Sequence, residues 1–170
     1  IEDMGCKLKV CFFKPESELN PIATERYEAN ILGCTRQFRY STANTNTIDM
    51  VLSVNGIPIV ALELKNQLTG QDYICAINQY KNDRNSKEFA FRLNHRYLVY
   101  FAVDLYEVWM TTQLTDSSTH FLPFNRGSNG AGVNGGAGNP TNPKGYATSY
   151  LWEEVLQRDS LMDLIHRFIS

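Results

Sequence analysis

Three charged residues, Asp49, Glu63 and Lys65, lie in the segment IDMVLSVNGIPIVALELKNQ, which otherwise has the pattern of buried β-strands. Two carboxylates that are held close together repel each other, and each raises the pKa of the other unless a cation lies between them. Mg²⁺ suits this position because it takes one or two carboxylates together with waters and a phosphate oxygen. Such a metal stabilises charge on a phosphate and lowers the pKa of a bound water, which are the two requirements for hydrolysing a phosphodiester.

The register of the two strands decides whether these three side chains meet. Even-numbered positions are apolar in both 48–54 and 58–64, on either side of the hairpin signal Asn55-Gly56. A two-residue turn would place the two apolar rows on opposite faces. We therefore predict a three-residue loop, Val54-Asn55-Gly56, with Gly56 in the left-handed conformation, which puts both apolar rows on one face and the three charged side chains on the other. The alternative is a partly solvated strand face with an incidental Glu/Lys pair.

Helical and strand patterns alternate along the rest of the chain. The predicted elements are a helix at 17–30, a strand at 31–40, an amphipathic helix at 71–84, strands at 97–103 and 105–112 joined tightly at Asp104, and two helical segments at 149–169, where Ser160 and Asp163 form a capping box. This order predicts a single α/β domain with a central mixed β-sheet flanked by helices.

Length and composition restrict the class of protein. With 170 residues, of which 43% are hydrophobic and 20% charged, the chain is sized for one globular domain with a substantial core. The net charge of −2 gives no global electrostatic reason to bind nucleic acid, so DNA binding requires a local basic patch. No apolar run approaches the roughly 18 residues of a membrane helix and the N-terminus lacks a signal peptide, so a cytoplasmic location without membrane association is expected.

The cysteines lack the spacing of a metal site or a disulfide framework. They are Cys6, Cys11, Cys34 and Cys75. We expect them to be reduced, small core residues.

Several separated motifs resemble one known family. The segment IDMVLSVNGIPIVALELKN resembles the D…E-x-K strand pair of the PD-(D/E)xK nuclease superfamily, and specifically the nuclease domain of the R subunit of type I restriction enzymes. The segments YLVYFAVDLYEVWMTTQL, FLPFNRG, GGAGNP and YLWEEVLQRDSLMDLIHRFI resemble that subunit in the same order. The resemblance extends from Tyr27 to the end of the chain, and it implies a restriction-endonuclease-like fold.

The resemblance also implies roles for individual residues. Asp49 and Glu63 would bind Mg²⁺, for which Mn²⁺ can substitute, and Lys65 would complete the catalytic site. The Gln-led motif of the following helix corresponds to Gln79, as a fourth catalytic residue that contacts DNA or orders the site. The sequence departs from the family pattern at Asp83, which stands where a tyrosine is usual. The alternative for Gln79 is a polar residue on an exposed helix face.

Basic residues near these positions are candidates for phosphate contacts, which position DNA without reading its sequence. They are Arg36, Arg39, Lys81 and Arg84, with Arg96 and Arg126 as further candidates. The alternative is that each is a solvated surface residue. Glu28 is either an additional acid of the kind that nuclease helices in this superfamily contribute, or a surface helix acid.

The glycine-rich segment at 126–145 is longer than a usual connection, which favours a functional or mobile loop over a simple turn. Its GAGVNG matches G-x-G-x-x-G, but no strand leads into it and no helix follows, so we reject a dinucleotide site. The chain also lacks a G-x-x-x-x-G-K-[ST] P-loop. The resemblance then implies that ATP acts only in a motor region C-terminal to this sequence. We expect an endonuclease domain at 1–147, including the loop, and a helical segment at 148–170 that leads to the motor.

The sequence thus predicts a Mg²⁺-dependent DNA endonuclease domain of a type I restriction R subunit. The resemblance implies double-stranded DNA and the methyltransferase (M) and specificity (S) subunits as partners. Sequence specificity would come from partner subunits, because nothing in the chain resembles a base-reading motif. One alternative is a non-catalytic docking module of nuclease fold that tethers a helicase motor, which the intact Asp/Glu/Lys set argues against. Another is a stand-alone repair nuclease of the same superfamily, which the segment from FLPFNRG to the C-terminal helices disfavours.

Overall fold

The computed structural model describes residues 2–3, 6–7, 9–17, 19–92, 97–128 and 137–169. The helices and strands there are, in chain order, β1 (Glu2–Asp3), β2 (Cys6–Lys7), α1 (Pro21–Glu28), β3 (Leu32–Arg39), β4 (Thr47–Val54), β5 (Ile57–Leu64), α2 (Tyr73–Asn82), β6 (Val99–Val103), β7 (Val108–Thr111), β8 (Leu122–Pro123) and α3 (Arg158–Ile169). Short 3₁₀ turns lie at Gln67–Thr69 and Phe89–Phe91, and a π-helical turn at Leu151–Val155. β1 and β2 pair antiparallel with each other.

One mixed sheet has the strand order β3-β4-β5-β6-β7-β8. β5 and β6 run parallel, with Val60 opposite Val99, whereas β7 pairs antiparallel with both β6 and β8. The parallel pair requires a crossover connection, which contains α2, and this helix packs against β6. The predicted α/β fold with a mixed sheet and flanking helices is confirmed, and it is consistent with a restriction-endonuclease-like fold.

The turn between β4 and β5 differs from the predicted loop. Gly56 has the predicted left-handed conformation (φ 83°), but Asn55 also has a positive φ (50°), and β5 begins directly after them at Ile57. Two consecutive left-handed residues are typical of the two-residue hairpin turn that matches the twist of the strands. Asparagine tolerates this conformation better than most residues because its side chain is short and polar. Here the Oδ1 of Asn55 accepts from the backbone N–H of Ile31, 24 residues earlier, at 2.7 Å. The predicted three-residue loop is therefore wrong.

Asp104 forms the tight connection that was predicted between β6 and β7. Its Oδ1 accepts from the backbone N–H groups of Tyr106 (2.7 Å) and Glu107 (2.8 Å), which is an Asx-type turn and delays the start of β7 to Val108. Its Oδ2 accepts from the backbone N–H of Tyr73 at 3.0 Å, at the first residue of α2. The buried Asp104 side chain therefore also holds the first residue of α2 against this connection.

The chain forms two compact units, one of Cys34–Leu52 and Pro58–Ser149 and the other of Ile1–Gly33, Ser53–Ile57 and Tyr150–Ser170. Aromatic residues make up much of the core of the first unit, where Tyr80, Phe91 and Tyr100 are almost completely buried. The Tyr80 ring meets the Tyr100 ring edge-on, with centroids 5.7 Å apart, and its hydroxyl donates to the Phe101 carbonyl at 3.3 Å. These contacts anchor α2 and, with it, the neighbouring Gln79.

In the second unit, Arg158 at the start of α3 closes the C-terminal end of α1. Its Nη2 donates to the carbonyls of Tyr27 (2.9 Å), Glu28 (2.9 Å) and Asn30 (3.1 Å). A cation is favourable there because the last carbonyls of a helix lack intrahelical partners and carry the negative end of the helix dipole. The Tyr27 hydroxyl also donates to Asp159 at 2.6 Å. These contacts join the N-terminal and C-terminal segments of the chain within this unit.

Two predicted helix starts are wrong. α1 begins at Pro21 rather than near Ser17, because the Asn20 side chain accepts a backbone N–H of the first turn and proline is well suited to the first helical position. Ser160 does not begin a capping box, because α3 already begins at Arg158.

The cysteines whose side chains the structure describes are free, as expected, but none of the three is a buried core residue: Cys11 is half-buried, and Cys34 and Cys75 are exposed. Cys34 is exposed on β3, an edge strand of the sheet. Cys75 is exposed on α2, because the buried side of this helix is the one that carries Ala76 and Tyr80. The small, apolar side chain of cysteine was therefore not sufficient to predict whether these residues are buried.

Some predictions concern residues outside the described ranges. These are Arg96 and the GAGVNG stretch at 130–135. The division of the chain into 1–147 and 148–170 stays a prediction. Within the described ranges, the structure contains no helix that is both long enough and apolar enough to cross a membrane.

Candidate active site

Glu63 lies on β5 and is fully buried, with 0% of its surface exposed. Its Oε1 accepts from the Nε and Nη2 of Arg84 at 3.2 and 2.7 Å. Arg84 follows α2, is itself buried, and also donates to the carbonyl of Thr47 on β4 at 2.8 Å. A buried charge without a partner is very unfavourable, so the guanidinium compensates the carboxylate. Arg84 therefore fixes one oxygen of Glu63 and connects β4, β5 and the end of α2.

The second oxygen of Glu63, Oε2, is buried and has no hydrogen-bond partner among the described residues. Burial raises the pKa of Glu63 to about 7; the Arg84 guanidinium lowers it, and the charge of the nearby Asp49 carboxylate raises it again. Two ionised carboxylates only accept hydrogen bonds, so neighbouring carboxylates need a proton or a cation between them. The Asp49 and Glu63 pair therefore forms a place for a positive charge.

The raised pKa predicts a pH-dependent stability. Glu63 holds its proton more tightly in the folded protein, so its contribution is fully present below pH 4.5 and is lost as pH rises through about 7. Each unit of pKa shift corresponds to about 1.4 kcal/mol, so the free energy of unfolding should fall by up to about 3 kcal/mol across this range. Denaturant unfolding at pH 5 to 8 without divalent metal should show this decline in the wild type and not in Glu63→Gln. Parallel pH curves for the two proteins would contradict the prediction.

Asp49, on β4, is oriented at both of its carboxylate oxygens. Its Oδ2 accepts from the backbone N–H of Leu64 at 2.9 Å, and its Oδ1 accepts from Nε2 of Gln37 at 3.2 Å. Each carboxylate oxygen has about two lone-pair positions, so each keeps capacity for a cation. The hydrogen bonds therefore orient this carboxylate without saturating it.

The hairpin brings Asp49 and Glu63 together in a way that differs from the predicted register. With a two-residue turn and strict alternation, these residues would face opposite sides of the hairpin. The buried residues of β4 are Ile48, Val51 and Val54, spaced by three rather than two, so β4 departs from simple alternation. Pro58, which cannot donate to a strand ladder, lies between the turn and the site, where an irregular pairing is expected.

Lys65 contacts Gln79, which joins the end of β5 to α2. Its Nζ donates to Oε1 of Gln79 at 2.6 Å. An amide oxygen is neutral, so the ammonium keeps its charge, and it has two further protons to donate. Asp83, at the position where the resemblance implies a tyrosine, is the C-cap of α2. Its backbone N–H donates to the Gln79 carbonyl at 2.9 Å and its side chain is exposed.

The donor set fits a divalent metal with oxygen ligands. Two carboxylates, one with an unpartnered buried oxygen, match what Mg²⁺ usually takes from a protein. In the part of the chain that the structure describes, no group of three or more His, Cys, Asp or Glu side chains comes together for a metal. Asp49 and Glu63 would therefore be the side-chain ligands, and backbone carbonyls, waters or a phosphate would supply the others.

The predicted phosphate-binding residues have different surroundings. Arg36 and Arg39 are exposed on the edge strand β3, and Arg39 Nε donates to two carbonyls of the turn that follows. Lys81 is half-buried on α2. Arg84 is buried against Glu63 instead of facing solvent, so we assign it to that carboxylate rather than to DNA. Basic residue type alone did not distinguish the two roles.

Sequence reasoning missed two features of this site. The pairing of Arg84 with Glu63 has only a weak signal in the sequence: Arg84 is a basic residue that comes directly after the helix that packs on the sheet. Gln37 left none, because nothing in the sequence marks a left-handed glutamine inside a strand. Glu28 lies at the end of α1, where its backbone carbonyl accepts from Arg158.

Asp49 with Glu63, and Lys65 with Gln79, are thus brought together by the two strands and the helix around them. A family model described as the N terminus of the type I restriction enzyme R protein matches residues 9–119, which is more than half of the chain. The chain belongs to this family. A search of curated proteins found no match.

Membership of the type I restriction enzyme R protein family gives the chain a place in a restriction system and a nuclease-related role. The matched region extends from before α1 to beyond β7 and contains all the site residues described above. The catalytic and metal-binding roles of Asp49, Glu63, Lys65 and Gln79 stay predictions.

Proposed function

We propose that this chain is the Mg²⁺-dependent DNA endonuclease domain of a type I restriction enzyme R subunit. The family match supports the restriction context. The catalytic proposal depends on one observation: Glu63 Oε2 is buried, unpartnered among the described residues, and close to the Asp49 carboxylate. Buried polar groups nearly always have a partner, and two carboxylates that share a site are the ligands Mg²⁺ prefers, with Mn²⁺ as its substitute.

Asp49 and Glu63 would hold the metal through their carboxylate oxygens. When bound, the metal would stabilise negative charge on the scissile phosphate and lower the pKa of a water. The chain itself contributes orientation, because the Leu64 N–H holds Asp49 Oδ2 and the Arg84 guanidinium holds Glu63 Oε1. Both carboxylates are therefore already oriented before the substrate binds, so no conformational entropy has to be lost to orient them during the reaction.

Lys65 would bind the phosphate and stabilise the charge that develops on it during attack by water. Gln79 keeps the ammonium of Lys65 in place through a neutral oxygen. Because an amide oxygen is neutral, the full positive charge of the ammonium remains available for the substrate.

The proposed substrate is double-stranded DNA, with Arg36, Arg39 and Lys81 as candidates for phosphate contacts. We assign sequence recognition to the specificity (S) subunit and modification to the methyltransferase (M) subunit of a cytoplasmic complex. ATP-driven translocation belongs to a motor region outside this sequence.

The test combines metal binding with DNA cleavage. Titration with Mn²⁺ at pH 8 should show binding to the wild-type protein and much weaker binding to Asp49→Ala and Glu63→Ala, because each variant lacks one ligand. DNA cleavage by the reconstituted restriction complex should fall in the same two variants. A chelator should abolish wild-type cleavage, and added Mg²⁺ should restore it.

Asp163→Ala is the matched control, since Asp163 is an exposed carboxylate paired with Arg167 on α3. This variant should bind Mn²⁺ and cleave DNA as the wild type does. Wild-type Mn²⁺ affinity in both site variants would refute the metal site. A wild-type complex that binds the metal but never cuts DNA would favour the docking module.

A further inference from the structure

Gln37 has an unusual backbone conformation for its place in the fold. It lies within β3 and has a φ of 49°, in the left-handed region. The other described non-glycine residues with positive φ are Asn55 and Asp116, which lie in turns and have the short polar side chains that tolerate this conformation. Gln37 has a longer side chain and lies inside a strand. Strain of this kind persists only where the surroundings hold it, and it is frequent at functional sites.

The side chain of Gln37 links Thr47 to Asp49. Its Oε1 accepts from the Thr47 hydroxyl at 2.7 Å, and its Nε2 donates to Asp49 Oδ1 at 3.2 Å. The ionised carboxylate only accepts, so it requires the NH₂ end of the amide, and the hydroxyl can then donate to the oxygen end. All three polar groups are therefore matched, and Thr47 fixes the amide that orients Asp49.

The left-handed residue gives the Gln37 amide a direction that it would not have in a regular strand. Consecutive side chains of a regular strand point to opposite faces. Phe38 packs against the hydrophobic core, so regular alternation would direct Gln37 to the other face. A left-handed residue interrupts the alternation, as bulges do at sheet edges and beside active sites, where they re-aim a side chain. β3 is an edge strand of the sheet.

We propose that Gln37 is a positioning residue for the metal ligand Asp49, and that β3 keeps its left-handed conformation in order to aim this amide. The inference rests on the proposed function, because it needs Asp49 to bind a metal. Gln37 acts through Asp49: its amide limits rotation of the carboxylate, so that the same oxygens face the metal. Hydrogen bonds to metal-ligating carboxylates typically contribute about 10- to 100-fold to metal affinity.

Two substitutions distinguish the effect of the Gln37 side-chain amide from the effect of its strained backbone conformation. Gln37→Gly removes the amide and relieves the strain, because glycine adopts a positive φ without steric cost, whereas Gln37→Met keeps the length and the strain but cannot hydrogen-bond in the same way. Both variants should bind Mn²⁺ about 10- to 100-fold more weakly than the wild type. The Tm of Gln37→Gly should nevertheless equal or exceed that of Gln37→Met. In the restriction complex, high Mg²⁺ should restore cleavage by both variants to near the wild-type maximal rate.

Asp116→Gly is the control, because it also replaces a residue of positive φ and lies in a turn outside the site. Its Mn²⁺ affinity should match that of the wild type. Wild-type affinity in Gln37→Gly, together with weakened binding in Asp49→Ala, would overturn this inference and leave the proposed function standing. Wild-type affinity in Asp49→Ala as well would overturn both. If Gln37→Met binds Mn²⁺ more weakly but Gln37→Gly does not, the loss of affinity comes from altered packing rather than from the missing amide, and the inference is overturned.

Discussion

Lys65→Ala is expected to lower the rate of DNA cleavage at least about a hundredfold, the scale for loss of one charge-stabilising group. The variant loses the ammonium that we assign to the phosphate, and Gln79 loses the donor that it holds at 2.6 Å. Metal binding should survive, because Lys65 is not a ligand and its removal takes a competing cation away from the carboxylates. ATP hydrolysis and translocation, which we assign to a region outside this sequence, should continue.

The decisive measurement compares three quantities in the same preparation of the reconstituted complex: DNA cleavage, ATP hydrolysis and Mn²⁺ binding. Asp49→Ala and Glu63→Ala should lose metal binding and cleavage together, whereas Lys65→Ala should lose cleavage alone. Lys144→Ala, which removes an exposed lysine, should behave as the wild type in all three assays. A Lys65→Ala complex that cuts at the wild-type rate would remove Lys65 from the proposed mechanism.

Arg84→Met is expected to lower the free energy of unfolding by about 3–5 kcal/mol at pH 8, the range for breaking a buried ion pair by removing one partner. Glu63, which is fully buried, would lose the two bonds to its Oε1, and the Thr47 carbonyl would lose its bond to the same guanidinium. An unpaired buried carboxylate takes up a proton, so the loss should be smaller at pH 5.5 than at pH 8. Denaturant unfolding at the two pH values measures both effects.

Arg167→Met is the matched control. Arg167 pairs with Asp163 on the surface of α3, four residues apart, and such exposed pairs contribute about 0.3–0.5 kcal/mol. The double variant Arg84→Met/Glu63→Leu should recover much of the lost stability, because apolar replacement of both partners of a buried pair is often nearly neutral. A loss in Arg84→Met no larger than that in Arg167→Met would show that the Glu63 pair is not formed in solution.

Much of the fold was predictable because its signals are local. Alternating apolar residues identified β4 and β5, the Asn55-Gly56 pair identified their turn, and Asp104 identified the connection between β6 and β7. The choice between a two- and a three-residue loop was wrong because the argument assumed strict alternation along both strands. The meeting of Asp49 and Glu63 was nevertheless anticipated, because charged residues within otherwise apolar strands suggested a shared site.

Assignments that depend on long-range partners were less predictable. Arg84 was grouped with basic residues for DNA, yet its buried guanidinium pairs with Glu63, 21 residues earlier in the sequence. Cys34 and Cys75 have core-like chemistry and are exposed, because an edge strand and an outer helix face leave them uncovered. Residue type gives a preference for burial, and the packing of distant elements decides whether it is satisfied.

By itself, the sequence determined the α/β order of elements, the likeness to type I restriction R subunits, and the three charged residues placed within apolar strands. These follow from periodicity and residue type, which act over a few neighbouring positions. Only the tertiary structure decided that Arg84 holds one oxygen of Glu63, that the other oxygen is left buried without a partner among the described residues, and that Gln37 reaches Asp49. Those contacts depend on a broken strand alternation and on the docking of α2, so the physical reason for them lies in three-dimensional packing between segments far apart in the chain.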